Sequence, residues 1–286
     1  MNISDIRSKY HKKICSQLIR IRKNKIKGEY PNNADGDSKI SVRIAWGIIK
    51  LITKKPIYGN ISGQEAGNIF EQLTMEFIEE AFSLLNHIRP GKWKYSTHKS
   101  ISQFDQYRDL ANLDKFIKKN KELSTTFGQD YLISPDIVIS REPISDEEIN
   151  RKTALLKNKD NFAKLTPLRK YNYSFENPIL HASIFCKWTL RSDRGQNART
   201  EALNLIRNRK GKLPHIVAVT AEPTASRIAS LALGTGDIDC VYHFALNELQ
   251  ETLNSIKDET QLEMLNMLID GRRLRDISDL IFDLAI

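Results

Sequence analysis

The chain predicts an α/β fold with a mixed β-sheet, on three observations. The run HIVAVT, His215 to Thr220, is apolar almost without a break, as a strand covered on both faces must be. The run CVYHFAL, Cys240 to Leu246, has the same character. Between such runs lie segments of helical period, including Ala198, Ala202, Leu205, Ile206 and Arg209, and the stretch 224–233 that stops at Gly234. Strands alternating with helices build an α/β sheet.

The elements follow in chain order. Residues 1–28 predict a basic helix, with Ile6, Tyr10, Ile14, Leu18 and Ile21 on one stripe and Gly28 as its stop. The segment YPNNADGDSK that follows is a loop by its Asn, Asp and Gly content. Helical spacing resumes at Ile44, Ile48 and Ile52. The clearest helix opens at Ser62-Gly-Gln-Glu65, a capping box, and runs along Ala66, Ile69, Phe70, Leu73, Phe77, Ala81, Leu84 and Ile88. Gln64, Asn68, Glu71 and Met75 make its second stripe. Residues 100–128 are polar and helical, and YLISPDIVIS, 131–140, is a strand with Asp136 early in it. An aspartate in an apolar strand needs a partner, because burying its charge alone is costly.

The stretch from His181 to Glu201 carries the most chemistry. Read as a strand, it sends Ala182, Ile184, Cys186, Trp188 and Leu190 to one face and Ser183, Phe185, Lys187, Thr189 and Arg191 to the other. A turn, RSDR, comes next, and then the helix that bears Glu201. After the strand at 240–246, an acidic amphipathic helix is expected over about 247–268. No linker divides the chain after residue 40, so residues 1–286 are expected to form one domain that includes the basic segment 1–40.

Charge narrows the partners. The 286 residues carry a formal charge of +9, unevenly spread. Residues 1–30 hold nine Lys or Arg against two acids, 181–212 hold eight against two, and 237–286 reverse the balance with eleven acids against four bases. Local positive charge of this kind suits a polyanion, most often nucleic acid, and equally suits a solvated basic helix. No run of about 18 apolar residues exists and the N-terminus is polar, so neither a membrane span nor a signal peptide is expected. Cys15, Cys186 and Cys240 lack disulfide or zinc spacing, which places the chain in a reducing cytoplasm.

There is no P-loop, GxGxxG, HExxH or GxSxG. His181, His215 and His243 lack ligand spacing and read as core residues. What remains is Pro135-Asp136 on one strand, Lys187 on another, and Glu201 after thirteen intervening residues. Phosphodiester hydrolysis uses a hard cation held by carboxylates, which Asp136 and Glu201 offer, with Glu71 as a third. Lys187 would place positive charge where negative charge grows. Arginine reads guanine O6 and N7, and aspartate accepts from cytosine N4, so Arg191, Asp193 and Arg194 suit a run of G and C; a surface salt-bridge turn fits the same residues.

The combination of PD, K-x13-E, the CKW-x-x-RSDR core, GKLPHIV and DIDCVYHFAL resembles the NgoMIV family of type II restriction endonucleases, which cut sites built on CCGG. The resemblance implies a restriction-endonuclease-like fold of the PD-(D/E)xK superfamily, Mg²⁺ as cofactor, double-stranded DNA as partner and a dimer-of-dimers homotetramer. By position it makes Asp136 and Glu201 the metal ligands with the Cys186 main-chain carbonyl, Lys187 the catalytic lysine, and Glu71 the auxiliary acid. It makes Arg191, Asp193 and Arg194 readers of the core, and Gln64 and Asp37 contacts to the outer base pair. The usual acid two residues before the lysine is absent, since Phe185 stands there, and Glu201 supplies the second carboxylate. The implied site is GCCGGC, cut to leave a 5′ CCGG overhang. Two other readings are a structure-specific repair or recombination nuclease and a catalytically dead DNA-binding module of the same fold.

Overall fold

The computed structural model describes residues 2–119, 132–157, 162–170, 177–190, 192–234 and 236–286, with backbone alone for 192–195. Six strands hydrogen-bond in the order β3-β4-β5-β6-β7-β8: Trp93–Thr97, Ile137–Arg141, Ile179–Lys187, His215–Thr220, Cys240–His243 and Leu274–Asp276. β3 pairs antiparallel with β4, whereas β6, β7 and β8 run parallel, so the sheet is mixed. The expected α/β class is the observed one. The chain divides into two compact units, one of Met1–Arg89, Ile184–Ala202 and Ile216–Ile286, the other of Pro90–Ser183 and Leu203–His215.

In the first unit, α1 covers Ile3–Lys13 and is opened by an Asn2 capping box with Asp5. Its Tyr10 packs on Phe77 and shares a hydrogen bond with Thr74 Oγ1, which seats α1 on α3, Gly63–Ser83. The predicted basic helix over 1–28 stops short. A π-turn over Ile14–Leu18 follows α1, and the chain then forms a hairpin, β1 Ile21–Asn24 against β2 Gly28–Pro31. Gly28 is no helix stop; it sits at φ 73° in the hairpin turn. The Ile21 N–H and carbonyl are taken by Ile57 and Gly59, partners too distant in sequence for local periodicity to show.

Helix α2, Lys39–Ile52, is capped by Ser38, and α3 by Ser62, whose hydroxyl accepts from the Glu65 N–H at 3.1 Å. β6 leads through α7, Ala225–Ala232, to β7. The single acidic helix expected over 247–268 is two, α8 Leu246–Ile256 and α9 Glu259–Asp270. Lys257 in the left-handed region breaks it, and the Asp258 side chain caps the new start. β8 and α10, Ile277–Asp283, complete the unit.

The second unit contains β3, which the sequence reading did not identify, together with α4 Arg108–Lys119 and the short α5 Asp146–Ile149. Buried Gln106 fixes the start of β5 from both sides, its amide donating to the Leu180 carbonyl at 2.7 Å and accepting the Leu180 N–H at 2.9 Å. His181 packs between Trp93 and His215, and is buried as a core residue. β4 begins at Ile137, so Asp136 precedes the strand rather than lying in it.

Candidate active site

β5 ends at Lys187, and its two faces are both covered: Ser183 and Phe185 are as buried as Ala182 and Ile184. Lys187 emerges only because the strand stops there. Two donors from the end of β6 fix that stop. The Lys187 carbonyl accepts from Thr220 Oγ1 at 2.8 Å and from the Ala221 N–H at 3.3 Å.

Three residues on, the Leu190 N–H donates to Glu222 Oε2 at 2.9 Å. Glu222 is 1% exposed, and its other oxygen accepts from the Thr224 hydroxyl at 2.6 Å and the Thr224 N–H at 3.2 Å. Burial raises its pKa, and those donors offset only part of the rise. His243, fully buried, presents Nε2 to the Glu222 carbonyl at 3.2 Å while Nδ1 accepts from the Ala245 N–H. Desolvation lowers its pKa to about 4, so it is neutral at pH 7 and Nε2 carries the proton. The end of β6 thus grips both ends of the segment from Lys187 to Leu190. Replacing Glu222 with Ala strands the buried Leu190 N–H and the Thr224 donors. It is expected to cost about 2–4 kcal/mol in urea denaturation, with Glu222→Gln costing less; a loss of only a few tenths would show that the grip is slack.

Lys187 opens into a cleft of about 660 Å³ lying wholly in the first unit. The first turns of α3 give it Gln64, Asn68 and Glu71; Glu71 is 7% exposed. Helix α6, Ser192–Asn208, gives Asn197 and Glu201, which share a face at i and i+4. The turn after β5 gives Trp188 and Thr189, the loop after β2 gives Asp35 and Asp37, and the hairpin gives Arg22, Lys27 and Tyr30. The loop is built to hold its place: Asn33 Nδ2 donates to the Ala221 carbonyl at 3.1 Å, and the Asp35 N–H to Ser41 Oγ at 2.9 Å.

Six of the residues singled out in the sequence therefore line one cleft: Asp37, Gln64, Glu71, Cys186, Lys187 and Glu201. Asp136 lies in the second unit, where its carbonyl accepts the His98 N–H at 3.3 Å and its carboxylate comes within 4.8 Å of a His98 ring nitrogen. Arg191 lies outside the described residues. Asp193 and Arg194 are described by backbone alone, and that backbone is helical: the expected RSDR turn is the first turn of α6 from Ser192 onward. Sequence reasoning missed Arg227, which enters the cleft from α7 and pairs with Asp35. A single arginine in an amphipathic helix gives no signal that separates it from a solvated one.

The donor set fits a hard divalent cation. Glu71 and Glu201 offer carboxylate oxygens, with no competing thiolate pair or histidine cluster among the cleft residues described. No helix among the described residues is long and apolar enough to cross a membrane.

A mixed α/β sheet that ends a buried strand in a lysine, in a cleft that also holds Glu71 and Glu201, has the form of a phosphodiester-cutting nuclease. The family model of the NgoMIV restriction enzyme matches residues 10–286, and the chain belongs to that family. It is 48% identical to the type II restriction enzyme NgoMIV of Neisseria gonorrhoeae over 282 residues, 97% of this chain and 96% of that protein. A solved restriction endonuclease PspGI–substrate DNA complex aligns over 99% of this chain and 92% of that one, at 16% identity and a TM-score of 0.30, too slight a likeness to argue from. The chain is accordingly a type II restriction endonuclease, and DNA is its substrate.

Proposed function

We propose that this enzyme hydrolyses both strands of duplex DNA at a palindrome with a CCGG core, GCCGGC, leaving 5′ CCGG overhangs, with Mg²⁺ as cofactor. One observation carries the reading: Glu71, Lys187 and Glu201 converge in a single cleft with Gln64 and Asp37. Mg²⁺ held by Glu201 and the Cys186 carbonyl would supply Lewis acidity to the phosphate and an activated water. Asp136 keeps the role of metal-binding carboxylate that the resemblance gives it. Lys187 contributes a fixed positive charge to the developing phosphorane, and Glu71 serves as the auxiliary acid at the same cleft.

Arg191, Asp193 and Arg194 are the proposed readers of the core. Asp193 and Arg194 lie in the first turn of α6, directly after the segment that the end of β6 holds. Gln64 and Asp37 are the proposed contacts to the outer pair. Asp37 accepts hydrogen bonds and donates none while ionised, and it is already engaged by Lys27 at 2.5 Å; it suits cytosine N4 better than guanine. The active form is proposed to be a homotetramer, residues 1–286 acting as one nuclease domain in the bacterial cytoplasm.

Plasmid digestion with and without Mg²⁺, followed by sequencing of the ends, tests the reading. Discrete fragments with 5′ CCGG overhangs flanked by one defined base pair are expected. Random ends, or cutting that persists after chelation, would overturn it.

A further inference from the structure

The β1–β2 hairpin has features that the chemistry of the cleft does not use. Its turn, Lys25-Ile26-Lys27, carries the most exposed large hydrophobic side chain among the described residues, Ile26 at 95%. Around it stand Arg22, Lys23, Lys25 and Lys27, with Glu29 the only acid in the two strands and the turn.

The turn is pre-set. Asn24 Oδ1 accepts from the Ile26 N–H at 2.8 Å and the Lys27 N–H at 3.0 Å, and Gly28 closes it at positive φ. The root is fixed by backbone bonds of Ile21 to Ile57 and Gly59, and by Arg22 donating to the Ile61 carbonyl at 3.1 Å. A tip held this way has little freedom left to lose on binding.

Its place matters as much as its composition. Arg22, Lys27 and Tyr30 line the cleft, so the hairpin is part of the cleft rim. Lys23 leans on Glu29 and on the Tyr58 ring, and Lys27 on Asp37. Lys25 and Ile26 are exposed at the tip. A single exposed isoleucine needs no explanation on a neutral surface; between two lysines at the rim of a DNA cleft it matches the arms that lay cations on phosphates and an apolar side chain against sugar edges.

We propose that the Lys25–Lys27 turn is a second, sequence-independent DNA contact that grips the duplex outside the recognised bases. The proposal rests on the reading of the cleft as the place where DNA is bound.

The test uses the full-length protein with Ca²⁺ in place of Mg²⁺, and fluorescence anisotropy on two duplexes centred on GCCGGC, one with flanks shorter than a helical turn and one with longer flanks. Wild type is expected to bind the long duplex more tightly and with a steeper salt dependence. Lys25→Ala and Ile26→Ser should erase that advantage and leave short-duplex affinity unchanged. Loss of one phosphate contact lowers the log–log salt slope by about 0.9, so the ratio of wild-type to Lys25→Ala affinity changes about threefold over a roughly fourfold salt range. Both side chains are exposed, and equal thermal melting of the variants excludes unfolding. Equal flank gain and slope in wild type and variants would overturn the proposal, and so would weakening on the short duplex as large as on the long one. Failure of the specificity reading shows separately, as wild type binding a scrambled duplex as well as GCCGGC.

Discussion

Lys187→Ala is expected to abolish DNA cleavage while leaving specific binding in Ca²⁺ within a few-fold of wild type. The argument is positional. The Lys187 main chain is pinned by Thr220 Oγ1 and the Ala221 N–H, so the substitution removes an ammonium from the cleft without loosening the strand end that carried it. That charge shares the cleft with Glu71 and Glu201, where, on the proposed mechanism, attacking oxygen, phosphate and carboxylates concentrate negative charge as the reaction proceeds. Removing one preorganised electrostatic group of this kind typically costs about 10²–10³ in rate, or roughly 3–4 kcal/mol of barrier. Binding energy comes mostly from phosphate and base contacts made elsewhere, so affinity is spared. Arginine is a poor substitute, because its planar fork cannot occupy the place of a compact ammonium, and Lys187→Arg should also fall by orders of magnitude. Single-turnover cleavage of plasmid DNA checks both; a Lys187→Ala enzyme that cuts at the wild-type rate removes the lysine from the mechanism.

The parts of this site legible in the sequence are those whose burial leaves a mark on composition. β6 and the first four residues of the 240–246 run are strands because both of their faces are apolar, and each was readable from its own residues. Glu71 and Gln64 were legible because Ser62 announces the start of α3 and fixes which residues follow at helical pitch. The hairpin was not, since its four-residue strands carry Arg, Lys, Asn and Glu and are held by backbone partners at Ile57 and Gly59. Glu222 lies in the connecting run AEPT, which carries no periodic pattern. Only the tertiary structure shows that it receives the Leu190 N–H and so sets the backbone just ahead of the proposed readers. β8, three residues long with two of them charged, is a strand because β7 offers it a parallel edge. Charge was the least legible of all. A sum over residues 1–30 is strongly positive, yet its Arg7 is paired inside the first unit, and its Lys9 and Lys13 with acids on α3.

Those pairings make Arg7 the second large effect. Its guanidinium is 16% exposed and makes two bidentate contacts, with Glu248 at 2.6 and 2.8 Å and with Asp276 at 2.8 and 2.9 Å. Lys9 and Lys13 pair with Glu80 and Glu76 on α3, but these are exposed and contribute little. Arg7 differs because Asp276 is also a structural hub. It caps α10 through the Ser278 N–H and hydroxyl, and it accepts the Leu246 N–H at 3.0 Å at the start of α8. Arg7→Ala leaves two carboxylates without their cation, one of them nearly buried, and is expected to destabilise the fold by about 3–5 kcal/mol at pH 7. Burial alone would raise the pKa of Glu248 and of Asp276, but the hydrogen bonds and charge of Arg7 outweigh it and hold both below the ordinary carboxylate range. A carboxylate whose folded pKa is depressed contributes stability that is present above its unfolded value, near 4, and lost as pH falls through the folded one. The gap between wild type and Arg7→Ala should therefore be full at neutral pH and shrink below about pH 4. Urea denaturation across that range reads both numbers; a loss under about 1 kcal/mol at pH 7, the size of a surface pair, would show that the N-terminal helix is merely laid on the C-terminal elements rather than clamped to them.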